Sequence, residues 1–393
     1  FPNGLIRNYI YKKIDPLKRE EIHHKAGDVI REINKDSTEL VVEQLAHHYV
    51  LGKDLELGFK YSILAGEKAD QECNYETAIT FYLQALEFYQ DSFGKLLKMK
   101  EEILEKVGTL YDLVGEPEKA LDYLQLASST VNEKHGSVKS QSQILEEIGN
   151  IYVRLGRFDE AISNYERGLQ LLSQTNCLVE KTTLHNSIGS VYQRKQELPT
   201  ALKHLTNAIE MLEKERVEVV QLADAYRIKG VVYWMKGEYE NSLSCYSKSA
   251  EIYRKVKDRK GEGMVLNNLS ILYQNKGEPE KAIEYLNQVL AISEIHNDTY
   301  LLSSLYNNLS VSYLEVCEWE KAEKACHENL ILKEKLGSQD GIATAFNNLG
   351  YIHSQKGLLD QALSYHQKAK RIFEKLNQNL GIAKSNFLQA NVY

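Results

Sequence analysis

Apolar and small residues recur along this chain at intervals of three, four and seven, the spacing that lines one face of an α-helix. The clearest register is a small residue followed three places on by a ring, as in LEEIGNIY, NSIGSVY, RIKGVVY, NNLSILY, NNLSVSY and NNLGYIH. The small residues are Gly108, Gly149, Gly189, Gly230, Ser270, Ser310, Gly350 and Ala390, spaced by 41, 40, 41, 40, 40, 40 and 40. A second set follows twelve residues behind: Ala120, Ala161, Ala201, Ser242, Ala282, Ala322 and Ala362. Four places after each comes a larger residue (Leu124, Tyr165, Leu205, Tyr246, Leu286, Cys326 and His366), and three places further another, mostly small, residue. Between the two sets sits a break such as Gly115-Glu116-Pro117, Gly156-Arg157-Phe158, Gly237-Glu238-Tyr239, Gly277-Glu278-Pro279 or Gly357-Leu358-Leu359. Gly just past a helix end and Pro in the first turn of the next helix are the expected stop and start signals.

Each unit therefore reads as helix A, a short turn and helix B. The small residues permit close approach of two helix backbones, and Tyr, Leu and Ala fill the seam. A single hairpin cannot bury its apolar face, so neighbours must stack on it into a solenoid. This pattern resembles the tetratricopeptide repeat, with a period near 40 in place of that family's 34 residues. Longer units of this kind are similar to those of kinesin light chains and of the Leu-Gly-Asn-repeat polarity adaptors. The resemblance implies an all-α, right-handed superhelical solenoid of antiparallel helix-turn-helix repeats. We expect seven such repeats over residues 95–380 and a truncated first helix over 381–393.

Upstream the period loosens. Residues 37–92, with LAHHY at 45–49, YSILAGEKA at 61–69 and the helix-B pattern of Asn74 to Ala85, read as degenerate opening helices of the same type. Residues 1–36 do not fit the repeat. The string FPNGLIRNYIYKKIDPLKREEIHHKAGDVI resembles the segment that closes the winged-helix region of STAND-type signalling ATPases, whose order is nucleotide-binding module, winged helix, then tetratricopeptide repeats. The resemblance implies a sensor arm of a larger ATP-dependent switch. The start at Phe1 without Met, and the end at Tyr393 inside a repeat, fit a piece of a longer protein. No GxxxxGK[ST] phosphate loop occurs in these residues.

Composition narrows the function classes. With 43% hydrophobic and 26% charged residues the chain is ordinary for a folded protein, and 393 residues exceed what one compact core organises. No run of about eighteen apolar residues occurs, so no membrane span is expected. A net charge of −7 makes the chain as a whole a poor nucleic-acid binder. Five scattered cysteines with no CxxC read as reduced thiols of a cytoplasmic protein. His23-His24 and His47-His48 are adjacent pairs, about 100° apart on a helix, so neither pair alone can grip one metal ion. His353, His366 and Cys326 stand where other repeats carry a ring or Leu, which makes them packing variants. No catalytic constellation stands out, so we expect no enzyme activity, cofactor or metal in these residues.

One feature rises above the repeat pattern. Just before the small residue stand paired asparagines: Asn267-Asn268, Asn307-Asn308 and Asn347-Asn348. Asn is a poor helix-interior residue because its amide competes for backbone hydrogen bonds. In tetratricopeptide repeats this part of helix A lines the concave groove, where an amide can both donate to and accept from a bound main chain. The alternative is that one Asn of each pair ties adjacent repeats together, and both roles can hold for different members of a pair. One turn on lie Arg154, Arg194, Gln274, Asn275 and Gln355; with Arg227 they suggest a groove basic in its middle and amide-lined towards the C-terminus, suited to a protein or peptide with an acidic segment. The function expected is a protein-interaction scaffold or sensor arm. The alternative is a regulatory region of a STAND-like ATPase or transcriptional regulator acting through autoinhibition or oligomerisation.

Overall fold

The computed structural model describes residues 4–89, 97–131, 137–296 and 299–392. Among these residues it is helical, with no strand. The chain divides into two compact units, residues 1–180 and 181–393. The first is built from α1 (Gly4–Lys13), α2 (Pro16–Ile33), α3 (Val42–Leu51), α4 (Leu55–Gln71), α5 (Tyr75–Phe88), α6 (Leu97–Leu113), α7 (Pro117–Val131), α8 (Val138–Arg154) and α9 (Phe158–Leu172). The second is built from α10 (Leu178–Arg194), α11 (Leu198–Lys214), α12 (Val220–Met235), α13 (Tyr239–Val256) and α14 (Arg259–Asn275), then α15 (Pro279–His296), α16 (Thr299–Glu315), α17 (Trp319–Lys335), α18 (Gln339–Gln355), α19 (Leu359–Lys375) and α20 (Asn379–Ala390).

Helices joined by short turns pair along their length, α6 with α7, α8 with α9, α12 with α13, α14 with α15, α16 with α17 and α18 with α19. The turns close as the sequence pattern predicts. Gly156 takes the left-handed conformation at φ 74°, and Arg157 N–H returns to Tyr152 O at 2.8 Å, capping the orphan carbonyls of α8. Among the helix-A-to-helix-B turns of the seven repeats two depart from the glycine rule: Gln196 and Cys317 hold the same left-handed backbone at φ 62° and 59°.

The small register performs the close approach expected of it. A Cβ added at Gly149 would lie 2.4 Å from Cε1 of Tyr165, and one at Gly230 2.5 Å from Cε1 of Tyr246. Each ring packs against the glycine sixteen residues before it, where any larger residue would hold helix B away from helix A. His366 and Cys326 occupy this slot in later repeats and are buried there. Burial pushes the Cys326 thiol up to about 12 and holds His366 down at about 4, as packing residues rather than chemical ones.

The same contact continues upstream. Gly66 lies under Tyr82, and Gly27 of α2 lies under Tyr49 of α3. The hairpin packing thus reaches into the segment that the fixed period set apart. There the connection holds a 3-10 turn, Thr38–Leu40, which stretches the interval and hides it from a periodic reading. Among the described residues no helix is long and apolar enough to cross a membrane.

Candidate functional site

Successive A helices of the second unit touch one another directly, α12 on α14, α14 on α16, α16 on α18 and α18 on α20. The paired asparagines sit on these contacts, and the two members of each pair part company. Asn267, Asn308 and Asn347 are 7%, 9% and 2% exposed, while Asn268, Asn307 and Asn348 are half-buried. Asn267 Nδ2 donates to Ser304 Oγ at 3.2 Å, and Asn308 Nδ2 donates to Asn267 Oδ1 at 3.0 Å. Asn307 Nδ2 donates to Asn308 Oδ1 at 3.3 Å, and Asn348 Nδ2 reaches Asn307 Oδ1 at 3.5 Å. Asn347 Nδ2 donates to Ser385 Oγ at 3.0 Å, and its Oδ1 lies 3.1 Å from His366 Nδ1. The amides form a chain running from α14 through α16 to α18. The buried members knit the repeats, and the half-buried members border the surface.

The second tier divides likewise. Gln274 Nε2 donates to Asn308 O at 3.0 Å and to Ser312 Oγ at 2.5 Å, whereas Asn275 and Gln355 are exposed. Of the cations, Arg154 pairs with Asp112 and Arg227 with Asp224 at 2.8 Å, so both are neutralised within the fold. Asp224 also accepts from Tyr253 Oη at 2.7 Å. Arg194 is exposed. Arg154 belongs to the first unit, the other two to the second.

Sequence reasoning missed residues of the same register. Asn186, three places before Gly189, is buried and donates to Gln221 O of α12 at 2.8 Å. On α6 and α8 the register carries carboxylates, Glu105, Glu146 and Glu147. Counting back two or three residues from every small position, rather than searching for repeated asparagine, finds all four.

A sequence model described as tetratricopeptide repeat matches residues 140–214, 221–295 and 301–375, more than half of the chain. The chain belongs to the tetratricopeptide repeat family. No curated protein matches its sequence. Among solved structures, aspartyl phosphate phosphatase F from Bacillus subtilis aligns over 92% of this chain and 95% of its own, at 12% identity and a TM-score of 0.60. A Rap protein complexed with competence and sporulation factor aligns over 85% of this chain and 97% of its own, at 14% identity and TM-score 0.54. A STAND protein with a tetratricopeptide repeat sensor, from Pyrococcus horikoshii, aligns over all of this chain and 58% of its own, at 16% identity and TM-score 0.55. At these identities the likeness is one of fold.

The carboxylates on α6 and α8 have an electrostatic signature. Burial, reinforced by Glu105 beside it, raises the Glu147 carboxyl to about 7, and Thr109 Oγ1 is 3.4 Å from its Oε2. Burial and the neighbouring Glu101 and Glu102 raise Glu105 as well. A carboxyl whose folded pKa exceeds its unfolded one contributes stability that is fully present below the unfolded value and lost as pH rises through the folded value. For Glu147 that window runs from 4.5 to about 7. Glu147→Gln is therefore expected to stabilise the first unit at pH 8 by on the order of 2 kcal/mol, after discounting for partial solvent screening. The gain should shrink towards zero at pH 4. Denaturant unfolding at the two pH values checks this, and an equal effect at both would remove Glu147 from the acid-linked set.

The histidine pairs meet across helices rather than within them. His23 Nδ1 of α2 lies 3.0 Å from His48 Nδ1 of α3, and Tyr11 Oη is 2.8 Å from His23 Nε2. His24 sits 2.9 Å from Asp54. Among the described residues no group of three or more His, Cys, Asp or Glu side chains is placed to hold a metal ion. The five cysteines are free.

Proposed function

We propose that the chain is a protein-interaction module whose second unit holds a partner's extended main chain on the A-helix face. Asn268, Asn307 and Asn348 supply donors and acceptors, and Asn275 and Gln355 extend the row. The observation that carries this reading is the division within each Asn pair. Asn308, bonded to the neighbouring repeat, fixes Asn307, and Asn348 is bonded to Asn307 in turn, so less ordering entropy is lost on binding. Asn267, Asn308, Asn347 and Gln274 act here as the support of that row. Membership of the tetratricopeptide repeat family supports a protein or peptide as ligand, as does the fold shared with a Rap protein complexed with competence and sporulation factor. Arg154 and Arg227 are spent on internal carboxylates, so a preference for an acidic segment rests on Arg194. Such a module works as a cytoplasmic scaffold or sensor.

The test replaces Asn268, Asn307 and Asn348 together by Ala and measures affinity for a partner isolated with the parent chain. Each lost hydrogen bond is worth about 1 kcal/mol, so the triple change is expected to weaken binding by about 3 kcal/mol, or roughly a hundredfold. Unchanged affinity would take these three residues out of the site.

A second reading, the sensor arm of a STAND-like ATPase, is supported by one observation: the alignment with the Pyrococcus horikoshii protein extends over the whole of this chain, α1 and α2 included. In that reading the first helices are the remnant of a winged-helix-like region. A nucleotide-binding module encoded in frame upstream of Phe1 would favour it.

A further inference from the structure

A second binding site is indicated where α11 passes into α12, apart from the amide row on α14, α16 and α18. At two of the places where helix B meets the next helix A, a ring four residues after the small helix-B position fills the junction. Tyr253 does so against Gly261, where a Cβ would come within 2.2 Å of its ring, and Phe373 does so against Gly381 at 2.4 Å. Between α11 and α12 the corresponding residue is Leu212, and the connection spans the five residues 215–219, against two between α13 and α14. The smaller side chain and the longer connection leave a cavity of about 530 Å³.

Its inner wall is apolar: Leu212, Leu222, Tyr226 and Ile252 are buried, and Val217 closes one side. Most charges at the rim are already committed. Glu213 accepts from Tyr226 Oη, Lys248 Nζ lies 3.2 Å from the same oxygen, and Lys255 pairs with Glu218 at 2.9 Å and Glu251 at 3.1 Å. Arg216 is different. It is exposed, held in the left-handed backbone region at φ 54°, and has no carboxylate in ion-pairing distance among the described residues. An uncommitted guanidinium at the mouth of an apolar cavity matches a ligand that joins a bulky apolar side chain to a carboxylate. A second cavity of about 300 Å³ shares Glu213, Tyr226 and Lys248 and continues along α12 towards Tyr233 and Asn241. Its wall carries Thr206, Lys229, Asn241 and Ser244, polar groups suited to a main chain.

We propose that this cavity takes the C-terminal residue of a peptide. A large apolar side chain fills the space over Leu222, and the terminal carboxylate pairs with Arg216. The preceding residues run along α12. The site is separate from the amide row, so a partner can be held at both or at either.

The test uses N-acetyl-tryptophan, an apolar side chain beside a carboxylate, and N-acetyl-tryptophanamide, which lacks the charge. Both are titrated against the intact chain by saturation-transfer NMR. The carboxylate probe is expected to bind saturably and the amide about tenfold more weakly, the worth of one charge-assisted hydrogen bond. Arg216→Glu should bring the first probe down to the level of the second, and Val217→Trp, which fills the cavity, should abolish both. Circular dichroism confirms that each variant is folded. Equal binding of the two probes, or carboxylate binding that survives either substitution, would overturn the assignment. Loss of the amide-row interaction in the Asn268, Asn307 and Asn348 variant should leave probe binding unchanged, so the two sites fail independently.

Discussion

Gly149→Leu is expected to loosen the α8/α9 hairpin by about 3 kcal/mol, the upper end of the usual overpacking cost. Even the first added carbon meets Tyr165 at 2.4 Å, and that ring is only 1% exposed, so it has nowhere to retreat. Moving it also breaks the bond from Tyr165 Oη to Asn150 Oδ1, now 2.7 Å. In a repeat array each hairpin contacts only its neighbours, so the damage should stay local. Hydrogen exchange should accelerate in α8 and α9 and remain at parental rates in α18 and α19. Unchanged protection around residue 149 would show that this register is not the packing seam.

The second large effect separates the two members of each asparagine pair. Replacing Asn267, Asn308 and Asn347 together by Ala is expected to cost about 3 kcal/mol of stability. Each change strands a partner: Ser304 and Ser385 lose a donor, Asn307 Nδ2 loses its acceptor on Asn308, and His366 loses its acceptor. Ala regains a few tenths of a kcal/mol per site as the better helix former, too little to offset this. The companion triple change at Asn268, Asn307 and Asn348 leaves one buried partner, Asn308 Oδ1, without the long 3.3 Å bond from Asn307, so its stability should fall by only about 1 kcal/mol. Melting curves of the two triple variants decide the matter. If both melted alike, the division into supporting and surface amides would be wrong.

The hairpins, their turns and the seam are legible in the chain because they depend on local rules. A 3.6-residue helix presents Gly149, Tyr152 and their equivalents on one stripe, and a left-handed residue closes the turn from helix A to helix B in each of the seven repeats. These preferences act within about a dozen residues and repeat at every unit, so periodicity exposes them. The exceptions were lost for the same reason. Gln196 and Cys317 hold a glycine conformation because the helices on either side impose it, and Gly27 finds Tyr49 only across a lengthened connection.

Which asparagine of each pair turns inward is a different kind of fact. Asn267 and Asn308 are the buried members although they occupy neighbouring places in the register, because Asn308 reaches back to the amide of Asn267 on the adjoining helix. A side chain chooses between solvent and a neighbour by the rotation of that neighbour, which no local pattern records. Charge behaves alike: Arg154 reads as a groove cation until the fold brings Asp112 against it, and the Glu147 carboxyl is raised by burial and by Glu105 on another helix. Backbone path follows from short-range sterics and the apolar stripe, so the sequence alone determined it. Electrostatic role and hydrogen-bond partner depend on atoms some forty residues away, and only the tertiary structure decided those.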